Sequence, residues 1–161
     1  PDATAASPAS AGPCLVTAAQ LGDILGTTQT VEEVDVPPVD DESEGDLTCE
    51  TAVDENDQKV TWTLADASMT VGGALTHREL RSFVEGTGTE VSEVEVGADE
   101  PAWLGTSSEL GRSWATTATS QGERWLKVEV SGDDDTVAVG DASDAAVQVT
   151  RALVEIGRAH V

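Results

Sequence analysis

The chain has 161 residues, 39% of them hydrophobic, with two cysteines and a formal net charge of −23 at pH 7. That length suits one domain that buries about two thirds of its unfolded surface without further staples. The charge, with a pI near 4.1, excludes nucleic acid and anionic lipid surfaces as natural partners.

Residues 1–12 are dominated by Ala, Ser, Pro and Thr with no apolar periodicity, and read as a flexible tether ahead of a single domain over residues 13–155. The sequence shows neither a charged-then-apolar signal segment nor a run long enough to span a bilayer. The mature or truncated form of an exported protein is therefore expected, with any lipid anchor upstream. Cys14, just after Pro13 at the start of the first helix, is a poor lipidation site because Pro13 stands where a small residue is needed. With Cys49, in an alternating strand, it is expected to form one structural disulfide that places the chain outside a reducing compartment. Closing such a loop contributes about 3–4 kcal/mol, and the alternative is a pair of buried free thiols.

Thr17 and Gln20 form a capping box flanked by Val16 and Leu21; Leu21, Ile24 and Leu25 continue the apolar stripe to Gly26. Val31–Val36 reads as a strand. A run from Asp40 to Asp46 rich in Asp and Glu follows, read as a solvated acidic loop. Leu47, Cys49, Thr51 and Val53 alternate, Asp54–Asp57 turns the chain, and Val60, Trp62 and Leu64 return. About sixty residues on, the plan repeats: Thr76 and Glu79 form a second capping box, Leu80, Phe83 and Val84 a second stripe ended by Gly86, and Val91–Val96 a second valine strand. Trp114, Thr116 and Ala118 are expected to pair with Leu126, Val128 and Val130 across a turn near Gln121. A last helix begins near Asp141 or Ser143 and presents Ala145, Val149, Ala152 and Leu153 on one side. The sum is an α+β fold, a pseudo-duplicated α-β-β-β-α-β-β-β-α chain with helices on one face of an antiparallel sheet. Glu155–Val161 resembles a translated sequencing adapter, so residues 156–161 are expected to be a non-native tail, the alternative being a genuine helix end capped at Gly157.

Several of these segments together resemble the uncharacterised secreted lipoproteins of actinobacteria. They are Pro13-Cys14-Leu15-Val16-Thr17 opening a short helix, a second Cys in a strand, Val96–Trp103, the strand Arg124–Val130 and an Ala-rich final helix. The likeness spans nearly the whole domain. It implies an envelope-anchored domain, related in plan to extracellular sensor modules, with a disulfide joining helix to sheet and no established activity. The chain departs from the family in carrying Glu50 after the second Cys, where an aromatic usually follows.

For chemistry, a Ser/His/Asp set needs a base beside an activated hydroxyl, and His77, the one His outside the suspect tail, falls in a first helical turn. Nucleophile elbow, phosphate loop and zinc set are all missing from the sequence. Asp40, Glu42, Glu44 and Gly45 imitate the start of a calcium loop, but Thr51 stands where its bidentate Glu belongs. Gly132–Asp135 reads as a turn. No catalytic residue, metal or cofactor is therefore expected. Of four tryptophans, those on strands are expected to pack. Trp103, placed in a long loop, either covers a cleft or, the favoured reading, plugs the sheet edge; it and Trp125 are the candidates for lining a ligand groove.

The expectation is a non-catalytic cell-envelope binding or sensor-like domain of a secreted lipoprotein. Its partner would be a small or extended ligand or an envelope protein, and it would meet the membrane only through an upstream lipid anchor. The alternatives are a carboxylate-dependent envelope enzyme acting on glycan, with buried paired acids as its mark, and an acidic accessory or inhibitor protein docking a basic partner.

Overall fold

A computed structural model describes residues 18–26, 31–34, 47–51, 58–66, 77–86, 89–98, 100–121 and 124–159. Helix α1 spans Ala18–Leu25, followed by strands β1 (Val31–Val34), β2 (Leu47–Thr51) and β3 (Lys59–Asp66). A short helix α2 (His77–Leu80) runs into a 3-10 turn, Arg81–Phe83. Then come β4 (Glu90–Val94), β5 (Ala102–Glu109), β6 (Arg112–Gln121), β7 (Arg124–Asp133) and helix α3 (Val139–Ala159).

The seven strands form one sheet in the order β1-β2-β3-β7-β6-β5-β4, antiparallel at every junction. Its centre holds the two ten-residue strands β6 and β7, and its edges the short strands β1 and β4, of four and five residues. Short edges limit the unpaired backbone offered to another chain. The class is thus α+β with an antiparallel sheet, as the hydrophobic alternation implied. The two valine strands, β1 and β4, occupy opposite edges.

Alternation decides which residues meet α3. Cys49, Val60, Trp62, Ala102, Leu104, Ala115, Leu126, Val128 and Val130 join one buried cluster with Ala142, Ala145, Ala146, Val149, Leu153 and Val154 of the helix and Leu21 of α1. Ile24 and Leu25 pack at its margin, and Gly26 ends α1 in the left-handed region (φ 77°), its N–H bonding the Gly22 carbonyl at 2.8 Å. A polar contact crosses this interface: the Thr117 hydroxyl meets the Thr150 hydroxyl, which donates to the Ala146 carbonyl. At the rim, Arg151 Nε and Nη2 both donate to the Glu95 carbonyl, at 3.0 and 2.9 Å, tying α3 to the end of β4.

Three expectations are corrected. The helices do not share one face: α1 and α3 cover one side, while Leu80, Phe83 and Val84 pack with Ala118, Trp103 and Trp125 on the other. The link from β3 must reach the far edge strand β4, and this face carries an apolar aromatic patch that needs a cover. Next, residues 102–109 form strand β5, an additional strand that puts Trp103 in the sheet and not in a loop. Lastly, Trp114, Thr116 and Ala118 lie opposite Ser131, Glu129 and Lys127, one residue away from the expected pairing with Leu126, Val128 and Val130. A one-residue slip moves a whole set of side chains to the other face.

Helix α3 starts at Val139, slightly before the expected Asp141, and continues to Ala159, with Ile156 packed at the margin of the core. Residues 1–12, Thr17, Thr76, the Asp40–Asp46 run and the Asp54–Asp57 turn lie outside the described residues.

Candidate functional site

The face opposite α3 holds a groove of about 350 Å³. Its floor follows from the register, which sets Gly105 opposite Thr116, Ser107 opposite Trp114, and Glu109 opposite Arg112. On the next strand Glu129 pairs with Thr116, and Lys127 follows two residues away on the same face. One wall is the turn after α2, with Phe83, Val84, Glu85 and Thr89.

That wall sits low because position 105 is glycine. A Cβ there would lie 2.2 Å from the Val84 carbonyl oxygen and 3.0 Å from the Val84 Cβ and the Thr89 Cγ2. Behind the wall the aromatic cluster is tight. Phe83 and Trp125 have ring centroids 4.8 Å apart at 48°, and Arg81 lies 5.2 Å over the Trp103 ring while its Nε is 3.2 Å from a Glu85 oxygen. The Trp125 indole N–H is buried without a hydrogen-bond partner, at a cost of about 1–3 kcal/mol that the apolar packing must exceed.

The mouth is the β5–β6 hairpin. Glu109 and Arg112 pair across a two-residue loop, Leu110-Gly111, with φ of 55° and 77°. Both central residues at positive φ is the type I′ pattern, which favours Asn-Gly or Asp-Gly. Leu110 fills it instead and is 97% exposed, a strained apolar residue at the rim. The Arg112 guanidinium lies 5.7 Å over the Trp114 ring, and its Nη2 donates a long bond of 3.5 Å to the Ser131 hydroxyl.

Charge in the groove is mixed. Glu85 is paired with Arg81, leaving Arg112 and Lys127 against Glu109 and Glu129. Among the described residues neither Lys127 nor Glu129 makes an ion pair, and both are half-buried. No Asp or Glu is among the described buried residues.

Trp103 and Trp125, expected at a groove, lie on this same face but beneath α2, beside the cavity and not along it. Trp114, expected to be plain packing, lines it. The signal for Trp114 was its alternation with Thr116 on a strand whose partner carries Lys127 and Glu129, legible only once the register is right. His77 opens α2. Cys49 is fully buried in the core and disulfide-bonded; Cys14, the only other cysteine in the sequence, lies outside the described residues.

A second cavity of about 320 Å³ lies between the end of α1 and the start of α3, with Ile24, Leu25, Gln58, Asp141 and Asp144 on its walls. The Asp133–Asp135 carboxylates gather within 4.8 Å of one another. They belong to a turn in which the Asp133 carbonyl accepts from the Thr136 and Val137 N–H groups at 3.0 and 2.7 Å, and the Asp133 carboxylate from the Asp135 N–H at 2.9 Å.

No described helix is long and apolar enough to cross a membrane. No family model matches the chain, and no curated protein matches it.

Proposed function

We propose that the chain is a non-catalytic binding domain of the cell envelope, the soluble part of a secreted lipoprotein of the actinobacterial kind it resembles, and that it holds its ligand in the groove beside α2. The observation that carries this reading is the groove's make-up: Trp114, Phe83 and Val84 offer apolar surface, ringed by a few polar and charged groups, in a volume at the low end of small-molecule sites. Its carboxylates are exposed, half-exposed or paired with arginine, whereas glycan cleavage asks for one acid kept protonated by burial.

A bridge between Cys14 and Cys49 belongs to this reading, supported by Cys49 being disulfide-bonded in a chain with two cysteines. Nonreducing peptide mapping tests it, and a free thiol at Cys14 in protein from an oxidising compartment removes the case for export.

Native mass spectrometry of the protein purified from its own envelope tests the function. A bound mass that survives unaltered in the wild type and is lost in Thr116→Trp, which fills the groove floor, supports binding. Turnover of a glycan substrate, abolished by changing one carboxylate in a variant that still folds, overturns it.

A further inference from the structure

The groove carries its charges as unlike neighbours. Lys127 and Glu129 stand two residues apart on one face of β7, about 7 Å along the strand, and Arg112 and Glu109 face each other across the hairpin. Glu85, the remaining acid, is already held by Arg81 at 3.2 Å. In a chain whose net charge is −23, this balanced pocket is a local exception. An anion without a positive group would meet Glu129 and Glu109, and a simple cation would meet Lys127 and Arg112. A neutral apolar molecule would strip water from Lys127 and Glu129 without giving either a new partner, a cost that offsets its apolar gain.

Resting on the reading of the groove as a binding site, we propose that its ligand is a zwitterion with an apolar side chain: a free α-amino acid or a dipeptide. The carboxylate lies toward Lys127, the ammonium toward Glu129, and the side chain against Trp114 and the Phe83–Val84 wall. Charge-assisted hydrogen bonds at both ends set the orientation. The aromatic surface accepts any bulky apolar group, so selectivity falls on the charged ends and less on the side chain.

Calorimetric titration of the full chain with L-phenylalanine, L-leucyl-L-phenylalanine, N-acetyl-L-phenylalanine and L-phenylalaninamide tests this. At least one of the two zwitterions binds, and capping either end of phenylalanine weakens it about tenfold or more. Lys127→Gln then removes the penalty for amidating the carboxylate, and Glu129→Gln removes the penalty for acetylating the amine, with thermal melts showing both variants folded. A merely structural role for either residue would not exchange selectivity in this paired way. Capped forms that bind as tightly as the zwitterions, or no binding of any probe up to about 10 mM, overturn the proposal. Either result leaves the groove's occupancy in envelope-derived protein to be read separately through Thr116→Trp, so the two readings fail independently.

Discussion

Replacing Gly105 with Ala asks directly whether the α2 turn is seated on β5. The new Cβ would stand 2.2 Å from the Val84 carbonyl oxygen, whereas close carbon–oxygen contacts begin at about 3.3 Å. The Val84 backbone must therefore retreat by about 1 Å, because the obstacle is main chain and not the end of a flexible side chain. That movement loosens Leu80, Phe83 and Val84 from Ala118, Trp103 and Trp125. Overpacking of this kind costs about 1–3 kcal/mol. The narrower unfolded ensemble of alanine offsets about 0.4–1 kcal/mol, leaving a net loss of about 1–2 kcal/mol and a fall in Tm of about 2–8 °C for a domain this size. Gly140→Ala is the control: it sits in the first turn of α3 with nothing within 4 Å of its Cβ position, and should gain about 0.5–1 kcal/mol. Urea denaturation with matched thermal melts measures both. If Gly105→Ala is as stable as the wild type while Gly140→Ala behaves as expected, Val84 does not lie on Gly105 and the groove has lost its wall.

Thr150→Val leaves the fully buried Thr117 hydroxyl without its partner and should cost about 1–2 kcal/mol by denaturation, with Thr117→Val added in the same chain restoring part of the loss; an additive double variant refutes the coupling. Leu110→Asn relieves an L-residue at φ 55° while giving up no burial and should stabilise by about 0.5–1 kcal/mol, read as a higher Tm. A net charge of −23 repels itself in the compact state, so Tm should rise as sodium chloride shortens the Debye length below about 8 Å. A flat salt profile would mean that the carboxylates are too dispersed to matter.

The elements that proved legible in the sequence are those whose apolar period stands alone. Leu21, Ile24 and Leu25 before Gly26 mark α1, the strands that carry Cys49 and Trp62 follow from simple alternation, and the α3 stripe reads at the helical period. Strand β5 was hidden by its own composition. Gly105 and the serines at 107 and 108 weaken β propensity, yet Gly105 is there because the Val84 carbonyl presses on it, a demand that arises only in the folded chain. Without β5, Trp103 had no face and the aromatic patch no strand to sit on, so α2 had no reason to leave the side of α3. The β6–β7 register failed for a different reason. Strand β6 carries apolar residues on both faces, with Ala115 and Ala118 on opposite sides, so alternation tolerated a slip of one against β7. That slip turned Lys127 and Glu129 away from Trp114 and concealed the groove.

The central claim, that ligand is held beside α2, is tested most directly by comparing indole resonances in the ¹⁵N–¹H spectrum of protein as purified from its own envelope and after exhaustive dialysis. Each of the four tryptophans reports one place in the fold: Trp114 in the groove, Trp103 and Trp125 behind its wall, Trp62 in the core under α3. Release of ligand should move the Trp114 signal most, shift Trp125 and Trp103 less, and leave Trp62 in place. A Trp114 signal that stays fixed while ligand departs, with changes gathered instead around Ile24, Leu25 and Gln58, would put the site in the cavity between α1 and α3 and contradict the account.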